Sequence, residues 1–149
     1  MKIVLGCDHG GLEHKNAIKE HLVSRGFEVL DHGIYETVSV DYPDIAVKVC
    51  KSILEGDGEL GILVCGTGIG MSLAANKFKG IRAAACSEHF SAKYTRLHNN
   101  SNILCLGGRV IGVGTALELV DLFVDTPFEG GRHQKRIDKI SEIENSKEF

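Results

Sequence analysis

Five short apolar runs, "KIVLGC", "FEVLDHG", "LGILVC", "IRAAAC" and "NILCLGG", begin about 20 to 35 residues apart, each bounded by glycine or polar residues. Runs this short read as buried strands. Between them lie helical patterns, clearest in "DIAVKVCKSILEG", where Ile45, Ala46, Val49, Cys50, Ile53 and Leu54 share one face and Gly56 supplies a stop. Further helices are expected at about 11–25, 70–78, 89–98 and 114–124. This alternation predicts an α/β fold with a five-stranded parallel sheet covered by helices on both faces. Right-handed crossovers then place every strand's carboxyl end at one edge, where open α/β sheets bind ligands.

A length of 149 residues suits one domain spanning 1–149. Glycine, at 18 residues, is well above the usual ~7%, so several tight backbone positions are expected. A net charge of -3, with only "RHQKR" concentrated in basic residues, argues against a nucleic-acid partner. The opening "MKIVLGCDHGG" has too short an apolar run for a secretory signal or a membrane span, so a cytoplasmic protein is expected. The five cysteines, at 7, 50, 65, 86 and 105, form no C-x-x-C pair. They suit reduced thiols, four of them plain buried side chains, with no metal expected.

Chemistry-bearing groups gather where the strands end. Asp8 and His9 follow the first strand, Cys65 and a glycine loop the third, Glu88 and His89 the fourth, and Arg109 the fifth. Asp8 reads either as a helix cap beside a surface imidazole or as a site residue, whereas Glu88 and His89 read as a cap and first turn. The loop "GTGIG" fails as a nucleotide cradle. A dinucleotide fingerprint from Gly66 meets Met71, and from Gly68 it meets Leu73; a P-loop from Gly66 meets Met71 and then Ser72 in place of lysine. What survives is a run of amides suited to negative charge. Cys65 stands next to it, so its thiolate is favoured over those of the other cysteines. A base beside an anion hole suits removal of a proton alpha to a carbonyl. Thr67 is either a proton carrier or a turn hydroxyl.

Two constellations lie elsewhere. His98 and Asn99 close "YTRLHNNSN", where a histidine is either a dipole partner at a helix carboxyl end or a site residue. Arg132 and Arg136 stand i, i+4 on the last helix, expected over 131–145, and repel by a few tenths of a kcal/mol unless an anion lies between them. A solvated face is the alternative. On the same helix Ile137, Ile140 and Ile143 form a narrow apolar stripe that either packs on a partner subunit or caps the chain's own sheet.

Six motifs in order, "GCDHGG", "YPDIA", "CGTGIGMSLAANK", "RLHNNSN", "GGRVIG" and "GGRHQKRI", resemble type B ribose-5-phosphate isomerases, whose superfamily includes the galactose-6-phosphate isomerase subunits. The resemblance covers essentially the whole chain. It implies a Rossmann-like three-layer α/β/α sandwich with an extra C-terminal helix. It makes Cys65 the base that moves a proton between C1 and C2, with Thr67 assisting at the two oxygens. Residues 66 to 70, including Gly66, Gly68, Ile69 and Gly70, become an oxyanion hole for the enediolate. His98 opens the furanose ring, Asp8 and Asn99 approach the sugar hydroxyls, Tyr42 lines the pocket, and His9, Arg109, Arg132 and Arg136 contact substrate, chiefly its phosphate. The implied site is shared between subunits of a homodimer or higher homo-oligomer and needs no cofactor. One branch of the family uses a loop glutamate as base; here that position is Met71, which implies the cysteine branch. Six-carbon aldose phosphates are the alternative substrates, and a non-catalytic phosphate-binding module is the alternative from another class.

Overall fold

The computed structural model describes residues 1–148. Five strands, β1 (Lys2–Cys7), β2 (Glu28–Asp31), β3 (Leu60–Cys65), β4 (Ala83–Ala85) and β5 (Ile103–Gly107), form one parallel sheet in the order β2-β1-β3-β5-β4. Six helices accompany them: α1 (Leu12–Ser24), α2 (Tyr42–Glu55), α3 (Ile69–Ala75), α4 (His89–Asn99), α5 (Val113–Asp125) and α6 (Arg132–Asn145). α1, α4 and α5 pack together on one face of the sheet, and α2 and α3 on the other. The expected α/β/α layering is therefore observed, with α6 as the extra terminal helix beside α4. No helix among the described residues is long and apolar enough to cross a membrane.

Two expected boundaries moved for identifiable reasons. α2 begins at Tyr42 rather than Asp44, because Pro43 fits a first helical turn, where a missing N–H costs nothing. β4 is only three residues long, and its outer edge is closed by a side chain: Asn76 Oδ1 accepts from Ala83 N and Asn76 Nδ2 donates to Ala83 O, both at 2.8 Å. A single amide thus substitutes for a neighbouring strand and protects the sheet edge. The Glu88 cap is as expected, its carboxylate accepting from Phe90 N and Ser91 N at 2.7 and 2.8 Å.

The central strands are buried on both faces, and residues such as Ile3, Leu5, Ile62, Leu63, Leu104 and Leu106 are fully enclosed. Each such side chain contributes about 1.5 to 3 kcal/mol. Helix α2 comes unusually close because β1 carries Gly6 where it crosses. A Cβ there would lie 2.7 Å from Ile45 and 2.9 Å from Val49. The close packing fixes the start of α2, and with it Tyr42, above the sheet.

One buried ion pair ties α1 to the end of β2. Lys15, 1% exposed, donates to both oxygens of Asp31 at 3.0 and 2.8 Å, and Lys19 and the Gly33 amide add further donors. Burial alone would push the Asp31 carboxyl up, but the Lys15, Gly33 and Lys19 hydrogen bonds outweigh it and hold the group below the usual carboxylate range. Asp31→Asn should cost about 3 kcal/mol near neutral pH, because it strands the Lys15 charge in the interior. The carboxylate's contribution is complete above its unfolded pKa of ~3.9 and disappears as pH falls through its lower folded value. Urea melts of the two proteins should therefore differ most at neutral pH and converge in acid; a constant gap would contradict the pairing.

Candidate active site

Three loops meet above the carboxyl ends of β1, β3 and β5, and they meet backbone to backbone. Gly108 N donates to Cys65 O at 2.8 Å and Arg109 N to Gly66 O at 3.0 Å, while Asp8 N donates to Val64 O at 3.1 Å. Gly10 stands against Gly66, where a Cβ would lie 2.8 Å from the Gly66 amide nitrogen. Asp8 is buried and does not cap α1, whose N-cap is Gly11 without a side-chain bond; instead Asp8 Oδ1 accepts from Gly10 N at 2.8 Å and shapes the turn. His9, next to it, is exposed.

Cys65 ends β3 in this crevice, and Gly68 N donates to its Sγ at 3.1 Å. That contact requires the turn Gly68 makes: its φ of 78° is left-handed, and a Cβ there would press on the Cys105 and Leu106 backbone at 3.0 to 3.1 Å. Ile69 N donates to Thr67 Oγ1 at 3.3 Å, so two of the loop amides already have acceptors inside the loop. The first helical bond of α3 runs from Ser72 N to Gly68 O, so Gly70 N has no helical carbonyl behind it. Tyr42 lies over Gly70, its ring 2.7 to 3.1 Å from where a Cβ would be, and the Arg109 side chain passes 3.6 to 3.8 Å from the equivalent point on Gly66. Asp8, Tyr42, Cys65, Thr67 and Arg109 thus surround one glycine loop.

His98, Asn99, Arg132 and Arg136 are elsewhere. α4 runs back along the sheet from the carboxyl end of β4, so its last residues reach the amino edge, where Asn99 O and Asn100 O accept from Arg82 just before β4. The length of β5 separates this edge from Cys65 by about 13 Å. There the His98 ring stacks on His133 with centroids 4.0 Å apart, and Tyr94 meets His98 edge-on. Glu129 Oε2 lies 3.7 Å from His98 Nε2 and 3.6 Å from His133 Nε2. Burial above all, then His98 and more weakly Arg132 and Arg136, outweigh Glu129 and hold the His133 pKa below its ordinary value. Arg132 and Arg136 are exposed on α6, without ion pairs among the described residues. Glu129 and His133 were not singled out from spacing, although "EGGRHQKR" contains both.

The predicted residues thus fall into two groups, one at the carboxyl edge of the sheet and one at its amino edge. The Ribose/Galactose Isomerase family matches residues 3–140. The chain belongs to this family. It is 48% identical over 143 residues to ribose-5-phosphate isomerase B of Escherichia coli, covering 96% of each protein. Among solved structures, ribose-5-phosphate isomerase B of Clostridium thermocellum superposes with a TM-score of 0.95 at 49% identity, covering 97% of both chains. The Mycoplasma genitalium ribose-5-phosphate isomerase B with bound ribulose-5-phosphate gives 0.93 at 43% identity, again covering 97% of both. Both expected features of the family, the parallel sheet and the glycine loop after β3, are present.

Burial pushes the thiols of Cys7, Cys50 and Cys86 up to about 11, and that of fully enclosed Cys105 well above the ordinary range. These four stay protonated near neutral pH, and among the described residues only Cys65 has an amide donor at its sulfur. Brief iodoacetamide treatment of the folded protein near neutral pH should therefore label Cys65 first. Peptide mapping that finds Cys7, Cys50, Cys86 or Cys105 labelled ahead of it would refute the distinction.

Proposed function

We propose that this protein interconverts D-ribose 5-phosphate and D-ribulose 5-phosphate in the pentose phosphate pathway, working in the cytoplasm as a homodimer with shared active sites. The observation that carries the reading is Cys65 Sγ in contact with Gly68 N beneath the glycine loop, flanked by Tyr42 and Arg109. Its family membership and its similarity to the ribulose-5-phosphate-bound Mycoplasma protein support it.

In this reading His98 moves the ring-opening proton from O1 toward the ring oxygen, with Asp8 and Asn99 holding the sugar hydroxyls. The Cys65 thiolate then takes the proton from C2 of the open aldose. The C2–H electron pair becomes the C1–C2 double bond, and the carbonyl pair moves to O1. The resulting enediolate is stabilised by loop amides over residues 66 to 70, including those of Gly66 and Gly70, a contribution of a few kcal/mol in a water-poor crevice. Gly68 and Ile69 donate within the loop as described, so their amides serve the oxyanion only if those bonds are exchanged. Cys65 returns its proton to C1 while the Thr67 hydroxyl relays the O2 proton to O1, leaving the ketose. His9, Arg109, Arg132 and Arg136 hold the phosphate.

The distance between the half-sites is what favours a second subunit. Within one chain Cys65 lies at the carboxyl edge of the sheet and His98 toward its amino edge, which favours their meeting across two chains. Exposed apolar side chains flank both halves: Ile69 and Leu73 beside the loop, Ile140 and Ile143 on α6. Their burial against a second copy would bring one chain's His98 and arginines to its neighbour's Cys65. Ile137 is buried within its own chain, whereas Ile140 and Ile143 stay exposed and in this reading pack on the partner.

Steady-state rates on ribose 5-phosphate, allose 6-phosphate and galactose 6-phosphate test the substrate; faster turnover of a six-carbon sugar would reassign it. Cys65→Ala should lower kcat by a factor of about 10² or more while changing substrate affinity little. Near-normal turnover would rule out the base. Mixing inactive Cys65→Ala subunits with Arg136→Ala subunits should restore activity, because a hybrid dimer assembles one intact site. Verified hybrids without recovery would show that the two half-sites do not complement across chains.

A further inference from the structure

We propose that His98, Glu129 and His133 form a chelating site for a divalent ion of the zinc class, and that capture of the ion inhibits the enzyme by withdrawing His98. The first half stands on the side chains alone; the inhibitory half rests on the ring-opening role proposed for His98. The ligand atoms of the three residues lie within 4.8 Å of one another, and the two imidazole-to-carboxylate distances are 3.6 and 3.7 Å. Neighbouring donors around a tetrahedral zinc stand about 3.4 Å apart, given metal bonds of ~2.0 to 2.1 Å, so both edges to Glu129 are near that separation already.

A second observation points the same way. His133 is 4% exposed, and its Nε2 is buried without a hydrogen-bond partner among the described residues. Such a nitrogen is normally satisfied by a donor, an acceptor or a metal. Glu129 is too far from either ring to bond it, yet its backbone is fixed beside α4 by donation to Leu97 O at 3.0 Å. Two imidazoles and one carboxylate prefer zinc, cobalt or nickel over magnesium and calcium, which take oxygen ligands.

The stacking decides which residue must move. The two rings are only 13° from parallel, so their Nε2 lone pairs do not converge as they stand. His133 is enclosed, whereas the His98 side chain is 33% exposed and its ring makes no hydrogen bond among the described residues. His98 therefore turns to meet the ion, leaving the orientation proposed for catalysis. The exposed Arg132 and Arg136 oppose a further cation and weaken its binding.

Calorimetric titration of the metal-free protein with Zn²⁺ in a non-chelating buffer tests the site independently of turnover. One ion per chain is expected. Cys65→Ala should bind with the same stoichiometry and similar affinity, whereas Glu129→Gln and His133→Asn should each bind at least about tenfold more weakly. Glu129 is surface-exposed, so Glu129→Gln remains informative even if His133→Asn misfolds. Cobalt should give the visible spectrum of a low-coordinate ion without a thiolate charge-transfer band, and zinc inhibition of the isomerase should be reversed by EDTA. Absence of binding at millimolar zinc, binding lost in Cys65→Ala, or binding unchanged in Glu129→Gln would overturn the site. Binding without inhibition would overturn the withdrawal of His98. Failure of the metal-free protein to isomerise any sugar phosphate would instead count against the proposed function and leave the calorimetric result standing.

Discussion

The candidate site depends on one constraint: the turns after β1, β3 and β5 must touch through their main chains. A side chain at Gly10 would stand 2.8 Å from the Gly66 nitrogen, and one at Gly107 would stand 2.8 Å from the Thr67 carbonyl carbon. Bulk at either position would push the loops apart, breaking the bonds from Gly108 and Arg109 to Cys65 O and Gly66 O. These bonds hold Cys65 at the floor of the crevice and carry Arg109 to its rim. The high glycine content thus has a local mechanical reason, and much of it lies at the carboxyl edge of the sheet.

Elsewhere the fold supplies rigidity rather than chemistry. The buried Lys15–Asp31 pair fixes α1 against β2, and the contact of α2 with Gly6 fixes the helix start that presents Tyr42. Asn76 closes the outer edge of β4, the strand that leads into α4 and so toward His98. The last two interactions thereby set the helices α2 and α4, which carry the proposed site residues Tyr42 and His98.

Placing half of the proposed machinery on the far edge of the sheet has a consequence for control. A site completed by a neighbouring chain forms only on association, so proton abstraction and phosphate capture would both depend on oligomerisation. The proposed His98–Glu129–His133 metal site would lie at that junction and act on the ring-opening step without touching the base.

Much of this protein was legible before any coordinates. Strand runs, helix periodicity, the stop at Gly56 and the cap at Glu88 are local properties, and they determined the α/β alternation because burial and capping act over a few residues. The failure of the glycine loop to match any nucleotide fingerprint was equally local. Only the tertiary structure decided which distant residues share a space. Spacing could not show that Asp8 braces a turn instead of capping a helix, since that depends on where Gly10 lies relative to β3. Nor could it show that His98 and Cys65 occupy opposite edges, because strand direction and helix return are set by packing of the whole sheet. Glu129 and His133 acquired meaning for the same reason: they meet His98 only when α6 and the loop before it pack against the end of α4.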